Sequence, residues 1–144
     1  MMKTVSNAQI INLPKICDPR GNLTVVEGLK EIPFTVARAF WTYDVPGGES
    51  RGGHAHKELW EFIVALSGSF TVKLDDGIEK REITLKYPYQ GLLLGPTIWR
   101  SLEDFSSGAV ALVLCSHRYD PDDYIYDYDE FIEFRKILKQ TDNE

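Results

Sequence analysis

The chain is poor in the residues that mark several protein classes. It has two cysteines, Cys17 and Cys115, which is too few for a disulfide framework, and their separation matches no zinc-ligand spacing. Positive charge is in the minority. Sixteen Lys and Arg stand against 22 Asp and Glu, a formal net charge of −6, which argues against a general nucleic-acid binder. No apolar stretch approaches membrane-spanning length, and residues 1–16 hold no run of signal-peptide type. The expectation is a cytoplasmic protein with reduced thiols, without nucleic-acid or membrane partners. A negative balance leaves small anionic ligands open, because local arginines decide those.

Histidine is scarce too, and its placement is informative. Of three histidines, two fall in Arg51-Gly52-Gly53-His54-Ala55-His56-Lys57. In a strand, residues i and i+2 share a face, so His54 and His56 present two imidazoles side by side. Imidazole titrates near neutral pH and ligates metals, so the pair suits proton transfer or metal binding. A polar rim on a solvent-facing strand would look similar. However, the core-type run Leu59 to Leu66 follows directly, so the pair enters an apolar interior.

The remainder is ordinary for a globular domain: 144 residues, 43% hydrophobic and 26% charged. With no internal repeat and no linker, residues 1–144 read as a single domain. Short β-type segments are predicted at Ile10 to Leu13, Leu23 to Glu27 and Thr35 to Tyr43, then at Trp60 to Leu66, Phe70 to Asp75 and Glu79 to Leu85. Three more follow at Gly91 to Leu94, Ile98 to Leu102 and Ala109 to Cys115. Ser67-Gly68 has the composition of a hairpin turn. Only the end reads as helix, a turn and a half to three turns capped by Asp127. Many short strands with Gly and Pro turns give an all-β jelly roll, a β-barrel or sandwich with a short C-terminal helix. The tail Asp120 to Glu130 reads as a packed arm, not a binding patch. Trp41, Trp60 and Trp99 read as core residues, and His117 as a surface residue.

The spacing Gly48-x5-His54-x-His56-x4-Glu61-x6-Gly68 resembles the first cupin motif. In metal-binding cupins the two histidines and the glutamate reach one metal from adjacent strands. The second motif should supply a further histidine after Gly91-Leu92-Leu93-Leu94-Gly95-Pro96, but Thr97-Ile98-Trp99-Arg100 follows instead. A permanent cation such as Arg100 is no metal ligand. A His54/His56/Glu61 metal site therefore lacks a customary member.

Three segments narrow the resemblance: Arg51 to Lys57, Gly95 to Arg100, and Ser116 to Ile125 with Tyr128-Asp129-x-Phe131. Together they resemble the FdtA-type, WxcM-like nucleotide-sugar 3,4-ketoisomerases of the cupin superfamily. The resemblance implies conversion of a dTDP-linked 4-keto-6-deoxy sugar to its 3-keto isomer, on the way to 3-amino-3,6-dideoxy sugars of bacterial surface glycans. It implies no metal or other cofactor, and a homodimer. His54 would be the base and His56 its partner or proton relay. Arg51 would meet the diphosphate or the developing oxyanion. Tyr43 would donate to a sugar oxygen, or else sit as a core-edge tyrosine.

Arg20 and Arg100 bear on the configuration at C4. Arg20-Gly21 resembles the galacto-product type and Trp99-Arg100 the gluco-product type, so the chain carries one feature of each. Glu61 departs from the glutamine usual in the family. Three other functions remain to be separated from the isomerase: a metal-dependent cupin using His54, His56 and Glu61, an epimerase on the same fold, and a non-catalytic sugar-nucleotide binding module.

Overall fold

Alternation of apolar and polar side chains builds most of the chain into short antiparallel strands. The computed structural model describes residues 2–142. After a 3₁₀ turn at Val5–Asn7 come β1 (Gln9–Asn12), β2 (Lys15–Ile16), β3 (Leu23–Thr24), β4 (Arg38–Thr42), β5 (Arg51–His56) and β6 (Glu61–Ser67). Then follow β7 (Phe70–Asp75), β8 (Lys80–Leu85), β9 (Gln90–Leu94), β10 (Trp99–Glu103) and β11 (Val110–Cys115). A second 3₁₀ turn at Pro121–Asp123 leads into β12 (Tyr124–Ile125) and helix α1 (Tyr128–Asp142).

Two five-stranded sheets face each other as a sandwich. One has the order β1-β9-β6-β11-β4 and the other β12-β5-β10-β7-β8, while β2 and β3 pair apart from both. Ile63, Leu92 and Val113 from the first sheet meet Phe70, Val72 and Leu74 from the second in the main core. The outer face of the first sheet is partly covered as well, where Phe62, Val64 and Leu93 pack under Leu13, Ile32 and Phe34. Strand β6 is therefore apolar on both faces, which explains its unbroken hydrophobic run.

The strands on either side of Ser67-Gly68 do not form the expected hairpin. β6 pairs with β9 and β11, and β7 with β8 and β10, so the turn carries the chain from one sheet to the other. Gly68 has φ +64 there, and a Cβ would come within 2.8 Å of Ala109 Cα. The local turn signal was sound, but the inward apolar faces of both strands are satisfied across the sandwich instead of side by side.

The terminal helix is longer than expected, 15 residues. Asp127 caps it as anticipated, its Oδ1 accepting the Glu130 N–H at 3.0 Å. Lys139 and Gln140, both good helix formers, carry it past Leu138 without burial, which periodicity does not register. Phe131 packs with Ala55 and Ile125 on the outer face of the second sheet, behind the histidine strand. Trp41 is also unlike its expectation, lying 59% exposed on the edge strand β4. Cys17 and Cys115 are both free. No helix among the described residues is long and apolar enough to cross a membrane.

Candidate active site

Strand pairing assembles the site as two rows that face each other across the sandwich. On the second sheet, Arg100 of β10 stands opposite His54 of β5, and Tyr124 of β12 stands opposite His56. On the first sheet, Cys115 of β11 is flanked by Glu61 of β6 and Arg38 of β4. Directly opposed residues share a face. The histidines and Glu61 thus come from facing sheets, not from adjacent strands.

The two histidines lie within one hydrogen-bonded chain. Their Nε2 atoms are 2.9 Å apart, and His56 Nδ1 is 2.9 Å from Asp123 Oδ2. Asp123 is itself fixed, since its Oδ1 accepts the Glu58 N–H at 2.8 Å and its carbonyl accepts the Lys57 N–H at 2.9 Å. Burial first, and then the Arg100 charge, hold the His54 pKa down at about 3. His56 is fully buried and is pushed further below the ordinary range by burial and by the charges of Arg100, His54 and Arg38. Both rings are therefore neutral near pH 7, as a general base must be.

Arg100 is only 1% exposed and is bound on every side. Its Nη1 donates to Glu61 Oε1 at 2.7 Å, and its Nη2 donates to the carbonyls of Gly95 and Ile98 at 3.1 and 3.0 Å. The other Glu61 oxygen is 3.7 Å from His56 Nε2. On the opposite side, Arg38 Nη2 donates to the Tyr124 hydroxyl at 3.0 Å. The Tyr124 ring packs against His56 and His54 with centroids 4.4 and 5.1 Å away.

These rows enclose a cavity of about 270 Å³ lined by Arg51, His54, Glu61, Arg100, Tyr124 and Tyr126 among others. Pockets that enclose a whole drug-sized ligand run to roughly 300–1,000 Å³, so this one has room for only part of such a molecule. Arg51 and Thr42 also line a second cavity of about 450 Å³, with Trp41 and Tyr43. The two cavities, inner and outer, thus adjoin at Thr42 and Arg51.

His54, Glu61, Arg100 and Arg51 come together in the inner cavity, and His56, fully buried, stands behind His54. Tyr43 is not among them; it lies 60% exposed along the outer cavity. Arg20 lines neither cavity; it lies between β2 and β3, with its guanidinium on Asp18 at 2.9 Å. The tail read as a packed arm instead supplies Asp123, Tyr124 and Tyr126 to the site. Asp120-Pro121 was the available signal. Asp120 Oδ1 caps the short turn through the Asp122 N–H at 3.0 Å, and this presents Asp123 to His56.

One ligand atom from each of His54, His56 and Glu61 lies within 4.8 Å of the other two. A divalent metal nonetheless fits them poorly. One Glu61 oxygen is committed to the Arg100 guanidinium, and any dication at the histidines would face that permanent cation in a buried site.

A protein-family model described as FdtA, WxcM-like, C-terminal, matches residues 6–136. The chain is 47% identical over 126 residues to a TDP-4-oxo-6-deoxy-alpha-D-glucose-3,4-oxoisomerase of Aneurinibacillus thermoaerophilus, covering 88% of this chain and 91% of that one. A mutant of the 3,4-ketoisomerase QdtA from Thermoanaerobacterium thermosaccharolyticum, solved with TDP-4-keto-6-deoxyglucose, superposes with TM-score 0.90. It is 38% identical, with 92% of this chain and 96% of that one covered. The TDP-quinovose 3,4-ketoisomerase WlaRB of Campylobacter jejuni gives TM-score 0.85 at 41% identity, covering 90% and 99%.

Proposed function

The chain belongs to the FdtA family, WxcM-like, C-terminal, and from that premise we propose that it is a sugar-nucleotide 3,4-ketoisomerase. The reaction converts dTDP-4-keto-6-deoxyglucose to a dTDP-3-keto-6-deoxyhexose. The observation that carries this reading in the chain itself is the neutral His54–His56 pair, 2.9 Å apart, of which His54 lines a small cavity and His56 is buried behind it.

Moving a ketone from C4 to C3 requires a base for the C3 proton, an enediolate, and return of a proton to C4. His54 takes the C3 proton, and the His56–Asp123 chain behind it stabilises the resulting imidazolium. The same imidazolium then protonates C4. Burial keeps the base neutral beforehand, and the Arg100 guanidinium lends positive potential to the pocket while the enediolate exists. Substrate and product are isomers, so proton transfer alone balances the reaction and no cofactor enters it.

The sugar occupies the inner cavity, the diphosphate meets Arg51 at its mouth, and the nucleoside runs outward past Trp41 and Tyr43. Arg100, saturated by Glu61 and two carbonyls, shapes and charges the wall. Residues 1–144 form one cupin domain in this reading, and the protein works in the cytoplasm as a homodimer. Trp41 and Leu66, at 59% and 47% exposure, share a shallow apolar concavity with Leu112 beside the open edge of β4, and a second copy would cover it. That dimer is also the setting in which the exposed Arg20 meets a substrate.

The test is NMR of dTDP-4-keto-6-deoxyglucose incubated in heavy water with chelator-treated protein. A 3-keto product carrying deuterium at C3 or C4 is expected, and the coupling of the C4 proton assigns gluco or galacto. Turnover that returned only with a divalent metal would move the reading to a His54/His56/Glu61 metal enzyme. No turnover under either condition would sink the substrate.

A further inference from the structure

The isomerisation moves two protons, and the histidines account for one. While C3 loses a hydrogen and C4 gains one, O4 must acquire a proton and O3 must give one up. Enzymes that shift a carbonyl along a carbon chain place a second acid beside the base for this purpose. We infer that Tyr124 is that group, a catalytic residue that carries the oxygen proton from O3 to O4, with Arg38 holding it. This rests on the ketoisomerase reading above.

The geometry is specific. Tyr124 lines the same cavity as His54, and its ring lies against both imidazoles. Its hydroxyl accepts a hydrogen bond from Arg38 Nη2 at 3.0 Å, and among the described residues that is its one hydrogen bond. The phenol proton therefore has no protein acceptor and is free for a ligand. Arg38 is dedicated to this corner. Besides Tyr124 it touches Cys115 Sγ at 3.7 Å and stacks near Phe40 and Tyr119, and among the described residues no carboxylate pairs with it. Its Nε is buried without a partner. A cation left uncompensated behind a phenol is an arrangement for stabilising a phenolate.

The steps balance. His54 removes the C3 proton, the C3–H electron pair becomes the C3=C4 bond, and the carbonyl electrons move to O4. Tyr124 gives its proton to O4 and becomes a phenolate beside Arg38. The phenolate then takes the proton of O3 as the C3=O bond forms, and the double-bond electrons accept at C4 the proton held by His54. One imidazole serves the two carbons, one phenol serves the two oxygens, and both groups end as they began.

The test is Tyr124→Phe, which keeps the ring and removes only the hydroxyl. Two rates are followed by NMR in heavy water, 3-keto product formation and deuterium entry at C3 of recovered substrate. Exchange needs only the carbon proton, whereas isomerisation needs both. Product formation should fall about 10²–10³-fold, within the range for a positioned acid–base group, with KM within threefold. Exchange should fall at least tenfold less. Equal losses in both rates, or a kcat within threefold of the parent, would overturn the assignment. A parent enzyme that made no 3-keto product would instead overturn the ketoisomerase reading on which it stands. Arg38→Gln supplies the second variant: the same skew toward exchange supports the assignment, and an unchanged ratio counts against it.

Discussion

His56 stands between His54 and Asp123, 2.9 Å from each, in a single hydrogen-bonded line. With its Nδ1–H donating to Asp123, His56 turns its Nε2 lone pair toward His54. A proton taken up by His54 is thereby met by a neighbour oriented to receive it. The order of the line ranks its members.

His54→Asn removes the base of the proposed reaction. Turnover of the 4-keto sugar nucleotide should fall by about 10²–10⁴-fold. Deuterium entry at C3 should be lost with it, while binding of the nucleotide diphosphate, read by calorimetry, should stay within a few fold. Retained exchange would show that another group is the base.

Asp123→Asn keeps the shape but replaces an acceptor by an amide that can donate to His56 and reverse its tautomer. The loss should appear in kcat, about 10²-fold or more, with KM nearly unchanged. A purely structural aspartate would instead show its loss in thermal stability and leave kcat of the surviving enzyme intact.

The histidines also set a pH signature on stability. His54 titrates at about 3 when folded, against roughly 6.5 in an unfolded chain. Between those values the unfolded state binds a proton that the folded state refuses. Stability is therefore full above pH 6.5 and declines as the pH falls toward 3. Between pH 7.5 and 5.5 this single residue should cost about 1.4 kcal/mol. Urea unfolding of the parent and of His54→Asn at the two pH values measures it, and parallel losses in both would refute it. Activity should show no acidic limb near pH 6.5.

Much of this site was legible in the chain, and the remainder was not, for a physical reason. His54 and His56 follow from strand parity alone, and Glu61 and Arg100 from motif spacing. Asp123, Tyr124 and Arg38 depend on which strands become neighbours: Tyr124 opposite His56, and Arg38 opposite Cys115. Periodicity reports which face a residue occupies, not what lies across the sheet. The same limit turned Ser67-Gly68 into an expected hairpin and left Trp41, on an open edge, as an expected core residue.

Arg100 and Glu61 make a buried pair, 1% and 3% exposed, joined at 2.7 Å. Removing one partner strands the other charge. Arg100→Met should destabilise the fold by about 3–5 kcal/mol, and Glu61→Leu should do so similarly. The double variant should recover most of that loss, because an apolar pair of similar volume replaces a desolvated ionic one. Denaturant unfolding of the four proteins gives the coupling. Strict additivity would mean that the ion pair contributes nothing.

Thr97 sits where a β-branched residue is least at ease, at φ +70 and 2% exposed. Three contacts hold it. Its N–H donates to the His56 carbonyl at 2.7 Å, its carbonyl accepts from Arg135 Nη1 at 2.6 Å, and its Oγ1 accepts the Lys3 N–H at 2.8 Å. The strained turn thus ties α1 and the N-terminus to the histidine strand. Thr97→Ala loses the hydroxyl and keeps the left-handed strain, whereas Thr97→Gly loses the hydroxyl but relieves it. Left-handed backbone costs about 1–2 kcal/mol for a residue with a Cβ, and glycine's extra chain entropy about 0.5–1 kcal/mol. The glycine variant should therefore be the more stable of the two by roughly 0.5–1 kcal/mol in urea unfolding, the reverse of the usual order in regular structure. An alanine variant as stable as the glycine one would mean that the turn relaxes out of the left-handed region. His56 should then shift with it, and kcat should drop in the alanine variant alone.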